Sequence, residues 1–76
     1  MPQIRVEHLL RELRLEAGVT QSDLARQLEK PQSFVSKFET LERRLTFEEV
    51  EIICAALGLA MPAFFERLER ARQGKA

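Results

Sequence analysis

The sequence predicts an all-α domain built from five short helices. Apolar residues recur at intervals of three and four along most of the chain, which is the spacing of one face of an α-helix. Residues that cap helices precede two of these stripes, and a glycine follows two of them. A chain of 76 residues has room for one small domain. We therefore expect a single domain over residues 1–76, with its core from about 5 to 72.

The first helix is predicted from about Arg5 to Ala17. Gly18 ends it, because the residue after the last turn often takes a positive φ. Arg11 and Arg14 are assigned to its exposed face, where glutamates pair with them; contact with phosphate is the alternative. The inward stripe consists of Leu9, Leu10 and Leu13, with Val6.

Residues 20–39 predict two short helices joined by a tight turn. The side chain of Thr20 can accept a hydrogen bond from the amide of Asp23, whose carboxylate can reach back to the amide of Thr20. Pro31 suits the first turn of a new helix, so the second helix begins near Pro31 or Gln32. The inward residues of the first helix are Leu24, Ala25 and Leu28.

The second helix of this pair has two different faces. Val35 and Phe38 point inward together, because they lie three positions apart. The other face carries Gln32, Ser33, Ser36 and Lys37. Such side chains can meet base edges and phosphates. An ordinary solvated surface is the alternative interpretation of each one.

Two further helices complete the chain. Thr46 caps the fourth helix, Glu49 completes a capping box three residues later, and Gly58 closes the helix. The buried stripe of that helix is Val50, Ile53, Cys54 and Leu57. The last helix is predicted from about Pro62 to Arg72, and the tail 73–76 is expected to fray.

The apolar residues of the last helix are Phe64, Phe65 and Leu68. Adjacent helical residues lie about 100° apart, so the two phenylalanines cannot point the same way. We expect one in the core and one at an interface with a second copy of the chain. Phe64, Phe65 and Leu68 are thus the predicted dimer interface, and a core that takes up all three within one chain is the alternative.

Charge does not mark the whole chain as a nucleic-acid binder. Lys plus Arg and Asp plus Glu each number 12, giving a formal net charge of zero. The distribution is uneven, because the segment from Lys30 to Arg44 holds four cations against two acids. The cations are Lys30, Lys37, Arg43 and Arg44.

Other residue types narrow the class of protein. Cys54 is the single cysteine, so no intrachain disulfide can form, and its apolar neighbours favour a buried thiol over a redox sensor. A reducing cytoplasm is the simplest location for the protein. His8 stands alone, so we expect no metal site and no cofactor. No apolar run is long enough to span a bilayer and no signal peptide is evident. Paired carboxylates in an evident cleft and phosphate-cradling glycine loops are lacking as well, which argues against an enzyme.

The string TQSDLARQL followed by PQSFVSKFE resembles the helix-turn-helix of the Cro/cI-like, or XRE-family, DNA-binding proteins. The resemblance extends through LRELRLEAGVTQ before it and ERRLTFEEVEIICAALGL after it, and covers roughly Leu9 to Phe65. It implies a compact five-helix, lambda-repressor-like fold. It also implies a transcriptional regulator that binds double-stranded DNA sequence-specifically, as a homodimer on a two-half-site operator, with no small-molecule ligand. The short chain and its FFERLE ending resemble stand-alone regulators such as restriction-modification controllers.

The resemblance also implies roles for individual residues. At family positions, base contacts are expected from Gln32 and Ser33, and phosphate contacts from Gln21 and Arg43. The position and chemistry of the residues add Phe34 and Lys37 to the base contacts, with a phosphate as the alternative partner of Lys37, and Ser36 and Arg44 to the phosphate contacts. Gln21 resembles the family glutamine that binds a phosphate and braces the readout side chain. Phe34 has two interpretations: its ring lies against thymine methyl groups, or it packs beside Val35 and Phe38.

Two positions depart from the family pattern. Glu29 and Leu41 stand where the family usually has glycine, and a left-handed backbone there would cost on the order of 1 kcal/mol. Neutral net charge and Glu29 leave one alternative function open. In that alternative the domain is a protein-interaction module or antitoxin that binds a partner protein rather than DNA.

Overall fold

The computed structural model describes residues 4–74, and all regular structure in that part of the chain is helical. The five helices are α1 (Val6–Glu16), α2 (Gln21–Leu28), α3 (Gln32–Glu39), α4 (Phe47–Ala56) and α5 (Met61–Arg72). The predicted all-α, five-helix fold is confirmed. The predicted limits of α1 were one residue too long at each end, and α5 begins one residue earlier than expected. The predicted fraying of the tail concerns Gln73 and Gly74, which form a turn, and residues 75–76, which lie outside the described residues.

Two threonine caps set the starts of α2 and α4. Thr20 accepts a hydrogen bond from the amide of Asp23 at 3.0 Å, but the Asp23 carboxylate contacts the Arg26 guanidinium at 3.1 Å. At α4 the capping box is complete. Thr46 accepts from the Glu49 amide at 3.1 Å, and the Glu49 carboxylate accepts from the Thr46 amide at 2.9 Å. These caps satisfy amides that have no partner within the helix.

The core lies around α3. Val35 and Phe38 have no solvent-exposed surface, and Leu10 of α1, Leu24 of α2 and Ile53 of α4 pack around them at 1% exposure each. Helix α3 contacts α1 and α2, α2 also packs on α4, and α5 packs on α4. The inward face of α3 is therefore fixed by the helices around it, and its outer face is left toward solvent.

One of the two phenylalanines of the last helix lies in the core, as the sequence predicted. Phe64 lies in the core at 2% exposure, and Phe65 is 49% exposed, with the two rings in edge contact at 5.8 Å between centroids. Leu68 is also buried, at 8% exposure. The assignment of Phe64 and Leu68 to a dimer interface was therefore wrong, because the chain's own core already covers both side chains. Phe65 alone of the three presents apolar surface.

Glu29 and Leu41 both adopt left-handed backbone. Their φ angles are 57° and 67°, in the region that favours glycine. Glu29 ends α2, and its amide donates to the Arg26 carbonyl at 3.1 Å. Leu41 turns the chain after α3 in the same manner. Both turns thus take the conformation that favours glycine with non-glycine residues, at the expected cost in backbone strain.

Cys54 is fully buried in α4, as predicted. Burial raises the pKa of its thiol to about 11. None of the five helices is both long enough and apolar enough to traverse a lipid bilayer.

Candidate nucleic-acid interface

The outer face of α3 presents a small set of polar side chains to solvent. Gln32, Ser33 and Lys37 are exposed, and Ser36 is half-buried. The Ser36 hydroxyl donates to the Ser33 carbonyl at 3.3 Å, which keeps it close to the helix backbone. The structure thus brings the predicted polar readout residues together on one face of one helix.

The amide of Gln32 is held by the first turn of α2. Its Nε2 donates to Oε1 of Gln21 at 3.3 Å, and its Oε1 accepts from the Ser22 hydroxyl at 3.0 Å. From the sequence we expected Gln21 to brace a readout side chain, and the contact is present. Gln21 and Ser22 thus form a clamp on the Gln32 amide. Ser22 was not identified from the sequence. Its position one residue after Gln21, on the same exposed first turn, was the available signal.

Behind this clamp lies a buried ion pair that was not predicted from the sequence. Arg14 donates through Nε and Nη2 to the two carboxylate oxygens of Glu39, at 2.7 and 3.0 Å. Arg14 and Glu39 are only 6% and 4% exposed, so the assignment of Arg14 to the exposed face of α1 was wrong. Arg14 follows Leu10 by four positions and Glu39 follows Val35 by four, which places both charges on inward stripes. Two opposite charges on stripes that face each other were the signal.

Glu39 also connects the ion pair to the clamp. Nε2 of Gln21 donates to Oε1 of Glu39 at 2.9 Å. Arg14 additionally donates through Nη1 to the Val19 carbonyl at 2.7 Å, which fixes the chain just before α2. A continuous series of hydrogen bonds therefore runs from α1, through the end of α3 and the start of α2, to Gln32.

Phe34 lies between the core and the solvent face. Its ring is half-buried and meets the Phe38 ring edge-on, with centroids 5.8 Å apart. The Arg43 guanidinium lies 4.8 Å from the ring centroid and the Lys30 ammonium 5.6 Å from it, both within cation-π range. The packing of Phe34 beside Phe38 is thus realised. Contact with a base stays a prediction.

Arg43 is not a free cation. It donates through both terminal nitrogens to the Glu49 carboxylate, at 2.9 and 2.8 Å, and through Nη1 to the Arg44 carbonyl at 3.2 Å. The Arg43 hydrogen bonds, joined by the Thr46 amide, lower the pKa of Glu49 from 4.5 to about 2, and the same pair raises the pKa of Arg43. Arg44 beside it is exposed. The segment after α3 therefore offers one engaged arginine and one exposed arginine.

Within residues 4–74, no three His, Cys, Asp or Glu side chains come together in a group that could hold a metal ion. His8 is exposed. A second buried acid besides Glu39 is Glu7, which is 5% exposed and accepts a hydrogen bond from the Leu45 amide at 3.1 Å. This hydrogen bond ties the connector between α3 and α4, residues 40–46, to α1.

Comparison with known proteins identifies the family of the chain. The helix-turn-helix family model matches residues 10–64, which is more than half of the chain. An XRE-family like protein from Pseudomonas syringae pv. tomato str. DC3000 is 44% identical, with a TM-score of 0.77, over 87% of this chain and 80% of that one. No curated protein gave a significant match.

The restriction-modification controller protein C.Esp1396I is also similar. The wild-type structure is 34% identical, with a TM-score of 0.81, over 86% of each chain. The same protein has been solved as a tetramer in complex with its natural 35 base-pair operator, and that structure matches with 34% identity and a TM-score of 0.80 over 86% of each chain. The present chain therefore belongs to the XRE-type helix-turn-helix family of DNA-binding transcription regulators.

Proposed function

We propose that the protein regulates transcription by binding double-stranded DNA sequence-specifically, as a homodimer on an operator with two half-sites. One observation carries this proposal: the exposed first turn of α3 presents Gln32 with its amide already oriented by Gln21 and Ser22. A side chain held in this way loses little conformational freedom on binding. In this family the corresponding helix lies in the major groove with its N-terminal residues toward the bases.

The hydrogen-bonding capacity left on Gln32 fits an adenine. A glutamine amide has two N–H donors and an oxygen that accepts two bonds. Gln21 takes one donor and Ser22 takes one acceptor position, so one donor and one acceptor remain. Adenine offers the complementary pair in the major groove, the N7 acceptor and the N6 amino group. Ser33 and Lys37 extend the readout surface on the same face.

Contacts to the DNA backbone would come from residues on either side of α3. Gln21 lies at the N-terminus of α2, where backbone amides and the helix dipole favour an anion. Arg44 is exposed and can reach a phosphate without breaking an internal contact. Arg43 would use its Nε proton or exchange Glu49 for a phosphate, and Ser36 would turn its hydroxyl away from the Ser33 carbonyl.

The salt dependence of binding tests this assignment against the protein-interaction alternative. Lys37, Arg43 and Arg44 from two subunits would displace about six counterions, so log Kd should change with log salt with a slope of roughly 5. Arg44→Ala should lower that slope by about 2 per dimer and weaken all duplexes alike. Gln32→Ala should leave the slope unchanged and relax preference at one base position of each half-site. A flat slope, or equal effects of the two substitutions, would contradict the assigned roles.

Phe65 supports the homodimer part of the proposal. Its ring is 49% exposed on α5, next to the buried Phe64, and a second copy could cover it. Phe65→Glu should raise the dimer dissociation constant at least about 30-fold, the threshold of an interface hot spot. Sedimentation analysis at several concentrations measures this change.

Leu15→Glu is the matched control for that experiment. Leu15 is 53% exposed on α1. Its neighbour Glu16 binds Arg67 of α5, and Arg67 lies about 200° around α5 from Phe65. The Leu15 variant should keep the wild-type dimer. A monomeric wild-type protein, or equal loss of dimer in both variants, would refute the interface.

A further inference from the structure

Glu39 lies within the series of hydrogen bonds that reaches Gln32, and we infer that it is a specificity-determining positioning residue. It fixes which end of the Gln32 amide is donor and which is acceptor toward DNA, although it is buried and contacts no base itself. The inference rests on the proposed function, because it concerns readout through Gln32. The inference follows from which group donates and which group accepts in each hydrogen bond of the series.

The carboxylate sets that direction because an ionised carboxylate only accepts. Glu39 is held in an ion pair by Arg14 at 2.7 and 3.0 Å, and its Oε1 also meets the side chain of Gln21 at 2.9 Å. Gln21 must therefore present its NH2 group to Glu39. Its carbonyl oxygen then points away from Glu39, toward Gln32.

The orientation of the Gln32 amide is set in the same way. Because Gln21 offers an oxygen, Gln32 must present its NH2 group there, and the observed Nε2 to Oε1 distance is 3.3 Å. Oε1 of Gln32 then faces the Ser22 hydroxyl, at 3.0 Å. A hydroxyl can donate or accept, so Ser22 accommodates either amide orientation and does not choose one. The choice is made at Glu39, two hydrogen bonds away from the readout side chain.

Glu39→Gln removes this constraint with little change in shape. Arg14 donates to both carboxylate oxygens, so the new amide must set its NH2 group against either Nε or Nη2 of Arg14. With its NH2 group at the Oε1 position the amide would also donate to Gln21, which would then reverse, and Gln32 would reverse after it. The outward donor and acceptor of Gln32 would exchange places, and a base that matches one orientation is a mismatch for the other. With both orientations accessible, discrimination at the base pair read by Gln32 should fall.

The readout is a ratio of affinities, which a purely structural role cannot move. Partial unfolding lowers the apparent affinity for every duplex by the same factor, so it cancels when two duplexes are compared with one protein. The duplexes would carry the selected operator and its three substitutions at the Gln32 position. Competition binding to each gives the discrimination of wild type, Glu39→Gln, Gln21→Met and Glu7→Gln.

We expect Glu39→Gln to reduce discrimination at that base pair by about 5- to 150-fold, the range of a lost bidentate contact. Gln21→Met should produce the same relaxation while leaving the Arg14 to Glu39 ion pair intact, and so serves if Glu39→Gln folds poorly. Glu7→Gln is the matched control, since Glu7 is equally buried but contacts Leu45 and Arg5, away from Gln32. It should keep wild-type discrimination at every position.

Two outcomes overturn the inference in distinguishable ways. If wild type selects an operator and a folded Glu39→Gln variant keeps its discrimination, the positioning role of Glu39 is refuted and the proposed function stands. If Glu39→Gln does not fold, unchanged discrimination in Gln21→Met refutes the role in the same way. If wild type selects no duplex, the proposed function fails and the inference fails with it.

Discussion

Removing the Glu39 carboxylate should destabilise the fold more than any surface substitution. The side chains of Glu39 and Arg14 are only 2% and 8% exposed, and Glu39 accepts two hydrogen bonds from Arg14 and one from Gln21. Glu39→Ala leaves the Arg14 guanidinium buried without its counter-ion. Loss of one partner of a buried pair costs about 3–5 kcal/mol.

That loss is large for a chain of this length. A domain of 76 residues has a free energy of unfolding of about 4–11 kcal/mol. With an m-value of about 1 kcal/mol/M in urea, the midpoint of unfolding should fall by about 3 M or more. Urea titration followed by far-ultraviolet circular dichroism measures the change. Glu12→Ala, at an exposed acid on α1, should stay within about 0.5 kcal/mol of wild type.

A double-mutant cycle separates the pair from its surroundings. Arg14→Met combined with Glu39→Leu removes both charges and keeps apolar volume, so the double variant should be more stable than the sum of the single losses predicts by at least about 1 kcal/mol. Some loss should remain, because the Val19 carbonyl also loses its hydrogen bond from Arg14. A Glu39→Ala loss below about 1 kcal/mol, or additive single effects, would refute the reasoning.

Three further predictions concern other parts of the fold. Glu29→Gly should raise the free energy of unfolding by about 0.5–1 kcal/mol, because φ at Glu29 is 57°. The control Gln27→Gly, inside α2, should lower the free energy of unfolding by about 1 kcal/mol. Changes of the same sign for the two variants in urea titrations would contradict this prediction. The pKa of Glu49 is lowered to about 2, so the stability that its ion pair contributes is complete above pH 4.5 and is lost as pH falls toward 2. Glu49→Gln should therefore lower the free energy of unfolding at pH 7 by up to about 1 kcal/mol, the range of a solvent-exposed ion pair, and by less at pH 3. Urea midpoints at both pH values measure the two losses, and an unchanged difference would count against the pair. The pKa of Cys54 is raised from 9.0 to about 11, so Cys54 should hold roughly 100-fold less thiolate than an ordinary thiol. A thiol reagent should therefore label this buried cysteine only after denaturant is added. Rapid labelling of the native protein would disprove its burial.

Local signals predicted the helices well because the physics that sets helix ends is local. Thr20 and Thr46 bond amides three residues away, and Gly18 and Gly58 supply the positive φ that ends α1 and α4. Apolar spacing identified the core residues for the same reason. The left-handed turn at Glu29 needed the family pattern, since glutamate itself gives no hint of it.

Long-range polar pairing was the part that sequence reasoning could not resolve. Arg14 was assigned to the surface because a charged residue is seldom buried unless it is paired, and its partner lies 25 positions away. Glu49 binds Arg43 because the left-handed turn at Leu41 brings the connector back against α4, and that geometry depends on the fold. Phe64 and Phe65 show the same limit: their separation of about 100° predicted one buried ring, but only the packing of α5 on α4 decides which one.

Selection of bound duplexes from a random pool at moderate salt tests the central claim most directly. A homodimer that places α3 of each subunit in the major groove should enrich an inverted repeat, with half-site centres about 10 base pairs apart or a multiple of that spacing. Each half-site should contain one position that Gln32→Ala relaxes. Failure of the wild-type protein to enrich any sequence, or enrichment of a single half-site with no symmetry, would contradict the claim of a dimeric, sequence-specific DNA-binding regulator.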